Sequence, residues 1–304
     1  MSVVSVRELR KEYGALTAVD GISFEIGEGE VYALLGENGA GKSTTVEILE
    51  GHRKRTSGDV TVLGTDPGHA RRDFHDRIGI VLQTSGVEHE LAVREALTIY
   101  GASYRQRRPV EEAIELVGLT TQLDQRIGTL SGGQRRRLDL ALGIVGRPAL
   151  LFLDEPTTGF DPAARRQAWE LVRELCSGGT TVLLTTHYLD EAEHLADRVG
   201  VLAAGRMVAE GTPEELTGSG TTIVRFDVPP GTSAADLASV LPAGATVGPD
   251  RVEFATTTPT SAVHALTGWA LDRGIEIPGL AVARPSLEDV FLEIAEGPAG
   301  RVRT

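Results

Sequence analysis

Cysteine is almost absent. Cys176 is the only one in 304 residues, so no internal disulfide can form and no cysteine-based zinc site can be built. A lone thiol suits a reducing cytosol. Long apolar runs are missing too: no stretch approaches the roughly 20 residues that a membrane helix needs. The first residues, MetSerValValSerValArgGluLeu, lack the basic start and apolar stretch of a secretory signal. Positive charge is short, since 30 basic against 43 acidic side chains leave −13 at neutral pH. That balance argues against broad nucleic-acid binding, which needs a basic face. The deficit runs through the whole chain, with 24 basic and 33 acidic residues up to 218, and 6 and 10 after it. Lysine is scarcest among the basic residues: Lys11, Lys42 and Lys54 are all there are. A lysine inside a glycine-rich loop is therefore hard to ascribe to chance.

What is present suffices for one large domain or two. Residues 1–218 alternate short apolar runs with helical periodicity. The runs at 31–35, 78–82, 150–153, 181–185 and 198–202 read as strands of a mostly parallel sheet covered on both faces. Residues 90–145 hold no comparable strand. Their periodic stretches at 93–104, 110–117 and 133–145 predict a helical subdomain, about 88–148, inserted into the sheet domain. GlySerGlyThrThr at 218–222 signals a linker. Beyond it, strand 222–228, helix 233–240, strands 246–248 and 251–255, helix 259–272 and strand 276–282 follow the βαββαβ order of ferredoxin-like units. A last helix is expected over 286–296, opened by a capping pattern of Ser286 and Asp289. Neither a glycine loop nor an AspGlu pair occurs after 219.

Gly36-x4-Gly41-Lys42-Ser43 matches a phosphate-binding loop, with a strand before it and a helix after it. Glycines let successive backbone N–H groups face a phosphate, and the helix N-terminus adds partial positive charge. Lys42 is placed to reach β- and γ-phosphates, and the Ser43 hydroxyl to ligate Mg²⁺. LeuPheLeu at 151–153 runs into Asp154 and Glu155. Alone these would be solvated acids at a strand end. Beside a phosphate loop they suit a metal-shell carboxylate (Asp154) and a general base (Glu155). His187 and Gln83 each follow a strand on the edge where sheet ligands bind. A lone histidine there is often structural, and Gln83 could touch Mg²⁺ or the attacking water. LeuSerGlyGlyGln at 130–134 opens a helix and offers a second anion site. ArgArgArg at 135–137 reads as a solvated helix face, with Arg136 or a neighbour in interdomain contact, rather than as a nucleic-acid patch.

Together these residues resemble the nucleotide-binding subunit of ATP-binding cassette transporters, over essentially all of 1–218. The resemblance implies an α/β P-loop NTPase fold: a mostly parallel sheet core, an antiparallel β portion and the inserted helical subdomain. It places adenine on Tyr13. It assigns ATP and Mg²⁺ to Gly36, Asn38, Gly39, Ala40, Gly41, Lys42, Ser43 and Thr44, to Gln83 as the Q-loop, and to Asp154 and Glu155 of Walker B. Ser131, Gly132, Gly133 and Gln134 become the signature, Asp161 the D-loop aspartate and His187 the switch histidine. Catalysis would rest on Glu155, His187, Gln83 and Lys42, and metal binding on Ser43, Gln83 and Asp154. Two chains would face head to tail when ATP is bound, each nucleotide held by the Walker motifs of one and the signature of the other. Phe160 stands where leucine is usual. ThrSerGlyValGluHisGlu at 84–90 lacks the proline common in that stretch, near the usual contact with the membrane partner.

ArgProSerLeuGluAspValPheLeuGlu at 284–293 looks like the C-terminal end of daunorubicin-resistance exporter ATPases, encoded apart from their membrane subunit. The resemblance implies an ATPase that drives efflux of a drug or other amphiphile through a separate polytopic permease. It would sit at the cytoplasmic face of the cell membrane and bind no nucleic acid. Residues 219–304 would be an α+β accessory domain bracing or docking the dimer. An importer ATPase is the alternative. A soluble cassette ATPase acting on ribosomes or DNA fits less well, because the chain has one cassette, no heptad run and an acidic balance.

Overall fold

A computed structural model describes residues 2–82, 86–218, 220–242 and 244–288. Two twelve-residue strands, β1 (Ser2–Tyr13) and β2 (Leu16–Gly27), open the chain as an antiparallel hairpin. Their inward side chains (Val4, Val6, Leu9, Ile22, Phe24 and Ile26) are buried. The short strand β3 (Val31–Leu35) is buried at every position. It feeds the glycine loop and then α1 (Lys42–Leu49). Strand β4 (Ser57–Val62) pairs with the free edge of β1, giving a three-stranded sheet ordered β2-β1-β4. Val46, Ile48 and Leu49 of α1 pack in one cluster with residues of this sheet and with Tyr32 and Leu34 of β3.

The short helix α2 (Arg72–His75) and strand β5 (Ile78–Val81) come next. The inserted helices follow: α3 (Val93–Gly101), α4 (Val110–Leu116) and α5 (Gly132–Ile144). They bury Val93, Leu97, Ile114, Leu138 and Ile144, the apolar periods visible in the sequence. The chain then returns through β6 (Leu150–Asp154), α6 (Pro162–Ser177), β7 (Thr181–Thr186), α7 (Leu189–Leu195), β8 (Arg198–Ala203) and β9 (Arg206–Gly211). The second sheet runs β5-β6-β7-β3-β8-β9, parallel except for β9. Its central strands have no exposed face, which explains why they read as continuous apolar runs rather than alternations.

The four-residue helix α8 (Pro213–Leu216) spans the point, at Glu214, where a second unit begins. That unit contains β10 (Thr222–Asp227), α9 (Ala234–Ala238), β11 (Thr246–Val247), β12 (Arg251–Thr256), α10 (Pro259–Asp272) and β13 (Ala281–Ala283). The sheet order β11-β12-β10-β13, all antiparallel, is that of a ferredoxin-like unit. Val224, Phe226, Val252, Phe254, Leu266 and Trp269 form its core. Its last strand corrects the expectation at 276–282: pairing begins only at Ala281. Pro278 has no N–H to give a ladder, its carbonyl accepts from Asp227 N–H at 2.9 Å, and Gly279 takes φ 64°. The helix expected over 286–296 lies largely outside the described residues. No described helix is long and apolar enough to cross a membrane.

Candidate active site

Three neighbouring parallel strands deliver the site. In the order β6-β7-β3, their C-terminal ends bring Asp154 and Glu155, His187, and the loop from Gly36 to one edge of the sheet, where ligands of open α/β sheets bind. The loop is tight. Gly41 has φ 103°, and a Cβ there would lie 2.5 Å from the Ala18 carbonyl oxygen. A Cβ at Gly36 would collide with the Leu202 carbonyl. Helix α1 starts at the next residue, Lys42, so its unpaired N–H groups open onto the loop.

The Lys42 ammonium donates to the carbonyls of Gly36 at 2.7 Å and Glu37 at 3.0 Å. Burial lowers its pKa, and the charges of Glu155 and Asp154 oppose that shift. Thr185 Oγ1 donates to Asp154 Oδ1. Glu155 holds a left-handed φ of 47°, with its N–H donating to the Thr185 carbonyl at 3.0 Å. Its Oε1 lies 3.0 Å from His187 Nδ1, and Thr158 Oγ1 donates to Oε2 at 3.3 Å. A cleft of about 570 Å³ is lined by Tyr13, Asn38, Gly39, Gly41, Lys42, Ser43, Thr44, Asp154 and Glu155. Lys11 Nζ and Arg53 Cζ lie 4.8 and 5.3 Å from the centre of the Tyr13 ring. Arg53 also lines the cleft. No motif named above includes Arg53; its signal in the sequence is the basic cluster HisArgLysArg at 52–55, just after the loop helix.

The exposed Ser43 hydroxyl and the half-buried Asp154 carboxylate share this cleft. An oxygen pair beside a phosphate loop fits Mg²⁺, a hard cation that takes one or two protein oxygens and fills its shell with phosphate and water. Gln83 lies outside the described residues.

The remaining expected site residues stand elsewhere. None of Ser131, Gly132, Gly133 and Gln134 lines the cleft. They open α5 through a capping box: Gln134 N–H donates to Ser131 Oγ at 3.3 Å, and Ser131 N–H donates to Gln134 Oε1 at 2.9 Å. A Cβ on Gly132 or Gly133 would touch nothing within 4 Å, so no packing within the described chain requires glycine there. Asp161 caps α6, accepting from Ala163 and Ala164 N–H at 2.9 and 2.8 Å. The arginine run is not the solvated face expected of it. Arg136 is buried, Arg135 and Arg137 are half-buried, and Arg137 donates to Gln167 Oε1 at 2.6 Å. The carbonyls of Leu82, Asp154, Glu155 and Pro156 hold the Arg136 guanidinium inward. A groove of about 440 Å³ beside residue 82 is lined by Ile80, Leu82, Tyr100, Tyr104, Asp139 and Leu142. Its rim exposes Leu82 (50%) and Tyr100 (37%), unusually apolar for surface positions.

Comparison with known proteins places the chain in a family. The model of the family "ABC transporter" matches residues 19–158, and that of "ABC transporter domain-containing protein-like, C-terminal domain" matches 222–286. The daunorubicin resistance ATP-binding protein DrrA2 of Streptomyces coeruleorubidus is 39% identical over 303 residues, covering 96% of this chain and 94% of that protein. A Nod factor export ATP-binding protein I of Rhizobium sp. (strain N33) is 38% identical over 305 residues, covering 96% of each. Among solved structures, an ATP-binding subunit of an ABC transporter superposes with TM-score 0.65 at 27% identity, over 70% of this chain and 91% of that one. A nucleotide-free ATP-binding cassette superposes with TM-score 0.64 at 28% identity, over 71% and 93%.

Proposed function

The chain belongs to the ATP-hydrolysing, ATP-binding subunits of ABC transporters, and from that premise we propose that it drives export through a separate membrane subunit. The observation that carries the chemistry is the Glu155–His187 pair at the edge of the cleft that also holds Lys42, Ser43 and Asp154. Loop N–H groups, the start of α1 and the Lys42 ammonium hold the phosphates. Ser43 and Asp154, with Gln83, would hold Mg²⁺, and that ion would supply charge neutralisation at the phosphates. Tyr13, flanked by Lys11 and Arg53, carries the adenine. Glu155 takes the proton of the attacking water, and His187 Nδ1 fixes the carboxylate that does so.

Ser131, Gly132 and Gly133 supply the second half of a site on another copy. Their helix start is away from this chain's own cleft, and the bare glycines leave room for a phosphate to approach. ATP then bridges two chains head to tail, with Asp161 near the junction. The apolar groove beside Leu82 suits an amphipathic segment of the permease, which would place the chain at the cytoplasmic face of the membrane. The relatives named for daunorubicin resistance and Nod factor export support efflux of a drug or other amphiphile. The proposed division is a cassette over 1–218 and an accessory unit over 219–304 that braces or docks the dimer.

Two variants test the assignment together. Glu155→Gln is expected to keep ATP binding, slow hydrolysis by roughly 10²–10⁴-fold, and elute as a dimer with ATP in size exclusion. Ser131→Arg is expected to bind ATP as a monomer and to lose that dimer. Unchanged turnover in the first removes Glu155 as base. Loss of monomer binding in the second removes the head-to-tail arrangement.

A further inference from the structure

Arg136 lies in the second turn of α5 and is 8% exposed. Its Nε–H donates to the Pro156 carbonyl at 3.1 Å. One Nη2 donates to the carbonyls of Asp154 and Glu155, both at 2.8 Å. Nη1 donates to the Leu82 carbonyl and stands 4.0 Å from Asp139. A guanidinium presents five N–H groups in one rigid plane. Here that plane joins four carbonyls on two segments, those leaving the paired strands β5 and β6 at their C-terminal ends.

The peptides so held are not ordinary ones. Three of the carbonyls belong to Asp154, Glu155 and Pro156, and Glu155 sits in the left-handed region that non-glycine residues avoid. Such a backbone persists only where its surroundings over-determine it. The Thr185 carbonyl takes the Glu155 N–H on one side, and Arg136 takes the carbonyls on the other. The same guanidinium is carried by the helix whose first residues are Ser131, Gly132 and Gly133.

We infer that Arg136 is the positioning residue that aims the Glu155 carboxylate, and that it ties the aim of that carboxylate to the helix start at Ser131. The inference rests on Glu155 being the general base. Through this tie, a phosphate arriving at the Ser131 helix start bears on the base of the chain that carries that helix, so the two nucleotide sites of a pair communicate through each chain's own α5. Arg136 acts without touching water or nucleotide. Its effect passes through the Glu155 peptide.

The test is a double-mutant cycle on the full chain. Arg136→Lys keeps the charge but offers three donors from a single atom, too few and too close to span two segments. It is expected to lower kcat by about 10–10²-fold, the scale of a misplaced catalytic group, while the Kd for a fluorescent ATP analogue stays within about twofold. In the Glu155→Gln background, read by single-turnover hydrolysis of radiolabelled ATP, the same change is expected to cost less than about twofold. Arg136→Gln, neutral and shorter, removes the cation that stands 4.0 Å from the buried Asp139, and serves in the same cycle if the lysine variant does not fold. Wild-type kcat in the Arg136 variants overturns the inference, and so does an equal loss in both backgrounds. A wild-type rate for Glu155→Gln alone overturns the base assignment and the inference with it, and that single-variant arm distinguishes the two failures.

Discussion

Glu50 is a carboxyl group with almost no water. It closes α1, is 2% exposed, and its Oε2 lies 3.2 Å from His52 Nδ1. Burial first, then the charges of Asp154 and Glu47, raise its pKa from 4.5 to about 8. A group whose pKa is higher folded than unfolded contributes stability below the unfolded value and loses it as pH rises through the folded one. The window here runs from about 4.5 to about 8. Glu50→Gln is neutral throughout. In Mg²⁺-free buffer its urea midpoint relative to the native chain is therefore expected to rise between pH 5.5 and pH 8 and to level off above. A difference that does not change with pH would show that Glu50 is ionised in the fold at all these values. Buried charges of this kind were not legible in the sequence, where a charged residue reads as solvated. Arg136 answers carbonyls 18, 19, 20 and 54 positions away, and no local pattern records that. The phosphate loop and the AspGlu pair were legible, because their chemistry needs contiguous residues at the end of a strand.

At the scale of the element, the sequence displayed some structures better than others. Helix α10 (Pro259–Asp272) announced both ends, with proline in its first turn and apolar periodicity throughout. The central strands stood out as short apolar runs. β1 and β2 did not, because charged residues fill their exposed faces and register shifts break the alternation at Val6/Leu9 and Leu9/Arg10. The bulge puts Glu8 at φ 49°, and it is matched across the sheet by Gly58 of β4 at φ 91°. A Cβ on Gly58 would collide with the Glu8 carbonyl and lie 2.7 Å from the Leu9 Cα. Gly58→Ala then meets both backbone strain and a clash that no side-chain rotation relieves. It is expected to destabilise the chain by about 1–3 kcal/mol, read as a lower urea midpoint. Gly64→Ala is the control, since its positive φ of 78° carries the strain while its Cβ would meet nothing within 4 Å. If the two variants lose the same stability, the close packing of β4 on the β1 bulge is not what Gly58 serves.

Over the whole molecule the two tryptophans fall one to each unit. Trp169 packs against His194, with ring centres 4.7 Å apart, and its Nε1–H donates to the buried Glu191 at 3.3 Å. Trp269 belongs to the core of the C-terminal unit, with Phe226 and Phe254. Each ring therefore reports the unfolding of its own core, and single-tryptophan chains made by Trp269→Phe and Trp169→Phe separate the signals. A ligand that binds only the folded state stabilises it by RT ln(1 + [L]/Kd), about 2.7 kcal/mol at a hundredfold excess over Kd. With Glu155→Gln to preserve the nucleotide, Mg²⁺ and ATP at that excess are expected to raise the unfolding free energy seen at Trp169 by this amount, read as a higher denaturation midpoint. The midpoint seen at Trp269 is expected to move less, because the cleft is built wholly from residues of the first unit. Equal shifts at both rings would mean that the two cores unfold as one, and the accessory unit would then be energetically part of the cassette. A shift at Trp269 alone would contradict the placement of the nucleotide between Tyr13, Lys42 and Glu155.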